Sequence, residues 1–317
     1  MKKTRVVIIG AGHVGSHCCS ALAAGRIADE IVLIDCIEEK AAAQARDISD
    51  SISFLPSPVR VWAGDYSDCT DADIVVVSVG KPRVPGQTRL QQLDVSIVMA
   101  REVAGRLRDS GFKGIVIGIT NPADIIADCL RKELGFPRER AFSTGTLLDT
   151  GRLLRILSEL TGLDRRSISA YSLGEHGDSS MIPFSQLRLG EVPFSEFEGI
   201  SKEQILERTR NTGISIIQGK GSTEFGIGFA AADMIKAILN DEKRVLPASV
   251  LLQGEYGISG VHCGVPVILG RGGAEKVIEL KLTQPELREL EASCRVIREH
   301  TLRADTLGRQ HSGALPV

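Results

Sequence analysis

The chain has 317 residues, 43% apolar and 25% charged, with a formal net charge of −2. That balance fits a globular chain long enough for one large α/β unit or two joined domains. It excludes a disordered chain, and it excludes a binder of nucleic acid or anionic membrane that works through bulk charge, so an anionic substrate must be met by a few placed arginines.

In chain order, the first half alternates short Val/Ile-rich runs with stretches of helical length. Predicted strands lie at 6–9, 31–34, 59–62, 74–79, 115–119 and 141–143. They are almost continuously apolar, the signature of strands buried on both faces of a parallel sheet. The fold class read from this is α/β, with an N-terminal doubly wound parallel sheet. The pattern changes near residue 145: a helix is predicted over 146–161, and strands at 167–172, 183–189 and 261–269. Ser201 with Gln204 and Thr283 with Glu286 have capping-box spacing at two helix starts. Leu287, Leu290, Cys294 and Ile297 mark one buried face of the last helix. The expected division is a dinucleotide-binding domain over 1–144 and an α+β catalytic domain over 145–317, with a loose tail from Gly308.

No apolar run approaches the ~20 residues that span a bilayer. The basic start followed by 6–9 is too short for a secretory signal and runs into glycines with no cleavage region. Seven cysteines, an odd number with no CxxC, read as free thiols in the reducing cytoplasm, and no Cys/His spacing suggests zinc. Neither a membrane nor a nucleic-acid partner is expected.

Gly10-Ala11-Gly12-His13-Val14-Gly15 follows the first predicted strand and opens a helix. The glycines permit a tight turn, close approach to a pyrophosphate and close helix–strand packing, and the helix N-terminus attracts phosphate. Asp35, 20 residues after Gly15 at the end of the second strand, suits a ribose and repels a 2′-phosphate. Cys36 and Ile37 supply no arginine for such a phosphate, which favours NAD over NADP. A methyltransferase shares this kind of sheet but leaves the second half unexplained. There, Gly174-Glu175-His176-Gly177-Asp178 and Thr146-Leu147-Leu148-Asp149-Thr150-Gly151-Arg152 offer an imidazole, a carboxylate to orient it and an arginine to grip an anion. These are the parts for moving a proton at an oxygen beside a bound carboxylate.

With Pro85-Gly86-Gln87-Thr88-Arg89-Leu90 and Thr120-Asn121-Pro122-Ala123-Asp124, these blocks resemble the lactate/malate dehydrogenase superfamily, in family order and across most of the chain. The resemblance implies an NAD-dependent L-2-hydroxy acid dehydrogenase with a Rossmann domain. It makes His176 the proton donor to a 2-oxo acid, and Asp149 the carboxylate that fixes and charges its ring. Arg152 becomes the bidentate clamp on the substrate carboxylate. Arg89, on a loop that closes over the substrate, polarises the carbonyl, while Asn121 bonds the substrate or the nicotinamide ribose. Thr223 lines the pocket. Gly10, Gly12, His13, Val14, Gly15, Asp35, Gly80 and Asn121 contact the cofactor. As imidazoles, His13, His17, His262, His300 and His311 read as surface or core filler.

The resemblance also makes Arg83, six residues before Arg89, the position facing the substrate's variable end. Lactate dehydrogenases carry glutamine there and malate dehydrogenases arginine. A guanidinium enclosed over a methyl group is costly, whereas over a second carboxylate it forms a charge-assisted pair. The expectation is therefore oxaloacetate/L-malate, with pyruvate/L-lactate as the alternative and a catalytically inactive NAD-sensing protein as the rival of another class. A dehydrogenase for branched 2-oxo acids does not suit Arg83. Leu154 and Ser169 stand where fructose 1,6-bisphosphate-activated relatives carry a basic residue and a histidine, so no such activation is expected. A homodimer or homotetramer is implied as well.

Overall fold

The computed structural model describes residues 3–56, 58–81 and 89–311, with side chains throughout except at 89–92 and 307–311. Six strands of the first half, β1 (Arg5–Ile9), β2 (Glu30–Ile34), β3 (Arg60–Ala63), β4 (Ile74–Val77), β5 (Ile115–Gly118) and β6 (Ala141–Ser143), form a parallel array in the order β6-β5-β4-β1-β2-β3. Val6, Val7 and Ile8 of β1 and all of β4 have no exposure, as expected of central strands covered on both faces. The connecting helices are α1 (His13–Ala24), α2 (Glu38–Ile52), α3 (Arg89–Asp109) and α4 (Ala123–Leu134). The strand order reverses between β1 and β4, and the crevice beyond their carboxyl ends is where ligands of open α/β sheets bind.

The second half starts with α5 (Leu147–Thr161) and a small antiparallel sheet of two-residue strands, β7 (Ile168–Ser169), β8 (Arg188–Leu189) and β9 (Val192–Pro193). Then come α6 (Lys202–Lys220), α7 (Phe225–Leu239), β10 (Arg244–Gln253), β11 (Ser259–Gly270), β12 (Gly273–Val277) and α8 (Gln284–His311). β10 pairs antiparallel with β6 through Ser249 opposite Ser143, so β10-β11-β12 extend the first sheet to nine strands. The main core is continuous across both halves, and a second cluster around Leu153, Leu157, Leu187 and Phe194 lies under the small sheet. Among the described residues no helix is long and apolar enough to cross a membrane.

Several expected elements differ. The stretch 183–189 is not a strand: Pro183 leads into a 3₁₀ turn at Phe184–Gln186, and only Arg188–Leu189 pair. Proline supplies no ladder N–H, which explains the short pairing. The strand expected over 167–172 is confined to Ile168–Ser169. The strand expected at 59–62 is displaced by one residue, and β4 stops at Val77. β10 and β12 have no counterpart among the expected strands; Pro247 within β10 argues against a central strand by sequence, yet it faces Pro266 of β11 in register. The last helix runs to His311, four residues into the segment expected to be loose.

Candidate active site

Three loops at the carboxyl ends of the parallel strands, with Asp35 after β2 and Gly80 after β4, build one side of the site, and the connection bearing His176 completes it. The first is the turn after β1. Gly10 has φ +105°, and a Cβ there would lie 2.4 Å from the Ser78 carbonyl oxygen at the end of β4. At Gly15 a Cβ would lie 1.9 Å from the Gly10 carbonyl oxygen. These two positions require glycine: one for the turn, the other so that α1 packs directly on it. Gly12, by contrast, faces open space, with only the Lys40 ammonium within 4 Å of where a Cβ would be. That open backbone at a helix N-terminus fits a pyrophosphate. His13 is exposed and Val14 half-buried at the start of α1. Gly80 is exposed after β4, and a Cβ there would meet nothing within 4 Å.

Asp35 follows β2 and closes the turn from behind. Its Oδ2 accepts from the Ala11 N–H (2.8 Å) and its Oδ1 from the Ile37 N–H (3.1 Å). Burial opposes ionisation here, but these two bonds and Lys40, whose Nζ lies 3.3 Å away, outweigh it and hold the carboxyl below its ordinary range. Lys40 is not among the residues expected from the sequence. Its position as the third residue of α2 gives no motif signal.

The second loop carries Asn121, exposed after β5, and leads into α4. The third leads from β6 into α5, where Asp149 and Arg152 share one face of the first turn. Arg152 Nη1 donates to Asp149 Oδ1 at 2.9 Å, with both side chains largely buried. Their spacing of three residues brings them together. The Arg152 guanidinium lies against α6: a Cβ at Gly213 would stand 3.3 Å from its Nη2. A mid-helix glycine costs about 1 kcal/mol relative to alanine, and this close approach gives Gly213 a reason to be there. Thr223 is half-buried in the connector from α6 to α7, whose Gly226 abuts the Leu148 side chain of α5.

His176 lies on the connection after Gly174, which is pinned by reciprocal backbone bonds to Gly264 of β11 (3.0 and 2.9 Å). Gly174 has φ +92°, and a Cβ would lie 2.5 Å from the Ser293 hydroxyl of α8. Ser293 accepts from the Glu175 N–H at 2.8 Å. The His176 N–H donates to Asp124 Oδ2 of α4 at 2.9 Å. Held from three sides, the ring places Nδ1 2.6 Å from Asp149 Oδ2. That contact leaves Nε2 as the ring nitrogen open to another partner.

The electrostatics follow. The negative Asp149 raises the His176 pKa above its ordinary value; burial opposes this without cancelling it, and the Asp149 hydrogen bond adds to the rise. Asp149, penalised by burial, is nonetheless held below the usual carboxylate range by His176 and Arg152. The arrangement favours an imidazolium–carboxylate–guanidinium chain, which can deliver a proton at Nε2 next to a group gripped by Arg152. The structure thus brings His176, Asp149 and Arg152 into contact. Arg83 lies outside the described residues. Arg89 begins α3, and its side chain also lies outside them.

Asp124 escaped the sequence reading, although a signal was present. Ala123 to Leu130 is buried at every position, so its two carboxylates, Asp124 and Asp128, stand in an otherwise apolar run. Asp128 faces His262 of β11 (3.3 Å) and Lys132 (2.7 Å). His262 is therefore a core residue, as its solitary position in the sequence suggested, with burial holding its pKa down.

Comparison with known proteins adds a second line. Residues 4–143 match the family model described as lactate/malate dehydrogenase, NAD binding domain, and residues 146–304 the model described as lactate/malate dehydrogenase, alpha/beta C-terminal domain. The chain is 40% identical over 308 residues to L-lactate dehydrogenase 1 of Bifidobacterium longum subsp. longum, covering 95% of this chain and 98% of that protein. It is 41% identical over 309 residues to L-lactate dehydrogenase of Fusobacterium nucleatum subsp. nucleatum, covering 95% and 97%. Among solved structures, a lactate dehydrogenase from a Medee basin deep-sea metagenome library superposes with a TM-score of 0.93 at 34% identity, covering 96% of this chain and 100% of the other. The ligand-bound minor L-lactate dehydrogenase of Enterococcus mundtii superposes with a TM-score of 0.92 at 35% identity, covering 96% and 98%.

Proposed function

Because the chain belongs to the lactate/malate dehydrogenase family and is an NAD-dependent oxidoreductase acting on a CH–OH group, we propose that its substrate pair is pyruvate and L-lactate. The observation that carries this reading is the His176–Asp149–Arg152 cluster at the carboxyl ends of the sheet strands. Its joint occurrence with relatives near 40% identity that bear the L-lactate dehydrogenase name supports pyruvate. Bound NADH supplies the hydride. Arg152 holds the substrate carboxylate through parallel N–H bonds. His176 donates through Nε2 to the carbonyl oxygen, and Asp149 stabilises the charged ring before transfer and fixes its tautomer. Arg89 adds positive charge near the carbonyl, Asn121 and Thr223 line the pocket, and the backbone around Gly10–Gly15, with Asp35 and Gly80, seats the dinucleotide.

A second reading keeps one specific observation. Arg83 is the malate-type residue in sequence, and it is the sole basis for the expected oxaloacetate preference. Steady-state kinetics with NADH decides between them. Pyruvate is expected to show at least tenfold higher kcat/KM than oxaloacetate, a difference of about 1.4 kcal/mol in transition-state binding. The reverse order restores the malate reading, and no turnover of either oxo acid favours a nucleotide-sensing protein.

The proposal includes self-association, as a dimer or tetramer. It is supported by large apolar side chains left in water on neighbouring helices: Ile214 and Ile217 of α6, and Phe225 and Phe229 of α7, are 46–63% exposed. Light scattering after size exclusion should give two or four times the 34.1 kDa chain mass, and a monomer at micromolar concentration rejects it. A cytoplasmic location suits the seven cysteines, which are all free thiols.

A further inference from the structure

Asp124 is the least solvated carboxylate near the site, at 1% exposure, and nothing in the mechanism above uses it. A buried charge needs partners, and Asp124 has few. Its Oδ2 accepts the His176 backbone N–H at 2.9 Å. Its Oδ1 and the fully buried Ser249 hydroxyl of β10 face one another without the alignment of a regular hydrogen bond. Among the described residues no lysine or arginine pairs with it, unlike Asp128 one turn further on, which is held by Lys132, Arg131 and His262. A carboxylate kept in such a place costs stability, and its helix neighbours Ala123, Ile125, Ile126 and Ala127 are buried and apolar.

We infer that Asp124 is a positioning residue for His176: it grips the histidine's backbone from behind and, as a second negative charge beside Asp149, keeps the imidazole in its proton-bearing form. This rests on the reading of His176 as proton donor. The groups that face the ring support it. From α5 come Asp149, which does most to favour the charged ring, and Arg152, which opposes it. From α4 comes Asp124, which adds to Asp149. Around Asp124 itself stand Glu175 on the same connection as His176, Ser249 on β10 and the Cys263 thiol on β11. Burial pushes the Asp124 carboxyl up to about 6, against the Ser249 hydroxyl and the His176 N–H, which favour its charged form. Above about 6 Asp124 is therefore ionised, and its charge favours the proton-bearing ring. Below about 6 it becomes neutral and its pull on the ring fades.

The test is Asp124→Asn in the full chain. The amide oxygen still accepts the His176 N–H, so the anchor survives and only the charge is removed. Pyruvate reduction requires protonated His176, so kcat/KM falls on the alkaline side as the ring loses its proton. Losing this second negative charge, which acts on the ring after Asp149, is expected to move that alkaline limb down by about one pH unit. Activity at the alkaline end then drops about tenfold while the acid plateau stays within about twofold. A uniform loss at all pH values with the limb unmoved overturns the inference and leaves Asp124 a purely structural group.

A measurement on the unaltered protein covers the case in which the variant does not fold. The His176 ring resonance, assigned by its disappearance in His176→Gln, is followed by NMR against pH. A second inflection near pH 6, where Asp124 takes up its proton, is expected, and a single inflection overturns the inference. Failure of the wild type to reduce any 2-oxo acid would count against the proposed function alone, because this titration needs no turnover.

Discussion

His176→Gln is expected to lower kcat for 2-oxo acid reduction by about 10³–10⁴-fold, the scale of a lost general acid. The Gln side chain still reaches toward Asp149 but has no titratable proton to give. NADH affinity, measured by fluorescence titration, should change by less than about threefold, because the dinucleotide turn at Gly10–Gly15 does not touch the ring. The substitution also strips the pH dependence: the alkaline fall in kcat/KM that follows the raised His176 pKa should disappear. The sign follows from the pair. Asp149 favours the charged ring, so in the wild type reduction persists to a higher pH than an ordinary histidine would allow, and hydroxy-acid oxidation, which needs the neutral ring, gains as pH rises through the same value. A variant retaining a tenth or more of wild-type kcat would remove His176 from the chemistry.

Arg152→Lys is expected to cost about 10²–10³-fold in kcat/KM for the oxo acid, chiefly through KM. Lysine keeps the positive charge, so the electrostatic environment of His176 hardly changes and the pH limb stays in place. It loses the planar fork that lets one residue bond Asp149 through Nη1 at 2.9 Å while presenting further N–H groups to a carboxylate. The space is also shaped for a guanidinium, which rests against the bare backbone of Gly213. A variant with an unchanged KM would show that the substrate carboxylate is held elsewhere. A displaced pH limb with an unchanged KM would reassign Arg152 to tuning the histidine.

Much of the first half was legible because central parallel strands advertise themselves: β1, β2 and β4 to β6 are short, apolar and separated by helices. The helix over 146–161 was equally plain, starting within a residue of the prediction. Legibility fell where pairing partners, not local pattern, decide the structure. β10 carries a proline and polar serine in its middle, and it becomes a strand because β11 lines up along nearly its whole length. The stretch 183–189 has apolar residues but no strand to pair with before Arg188. At the site, residues marked by motif spacing were found: His176, Asp149 and Arg152 meet although 27 residues separate the histidine from the aspartate. Asp124, Ser293 and Gly213 were not singled out for roles, because each acts through a contact with a backbone or side chain that is remote in sequence.

One consequence of the nine-stranded sheet concerns motion. Since β6 of the first half pairs with β10 of the other through Ser143 and Ser249, one continuous sheet runs beneath both halves. The floor beneath both ligands is a single plate, and its geometry is set when the chain folds. Shielding of the reaction from water is then expected from the connections and side chains that rise above the sheet.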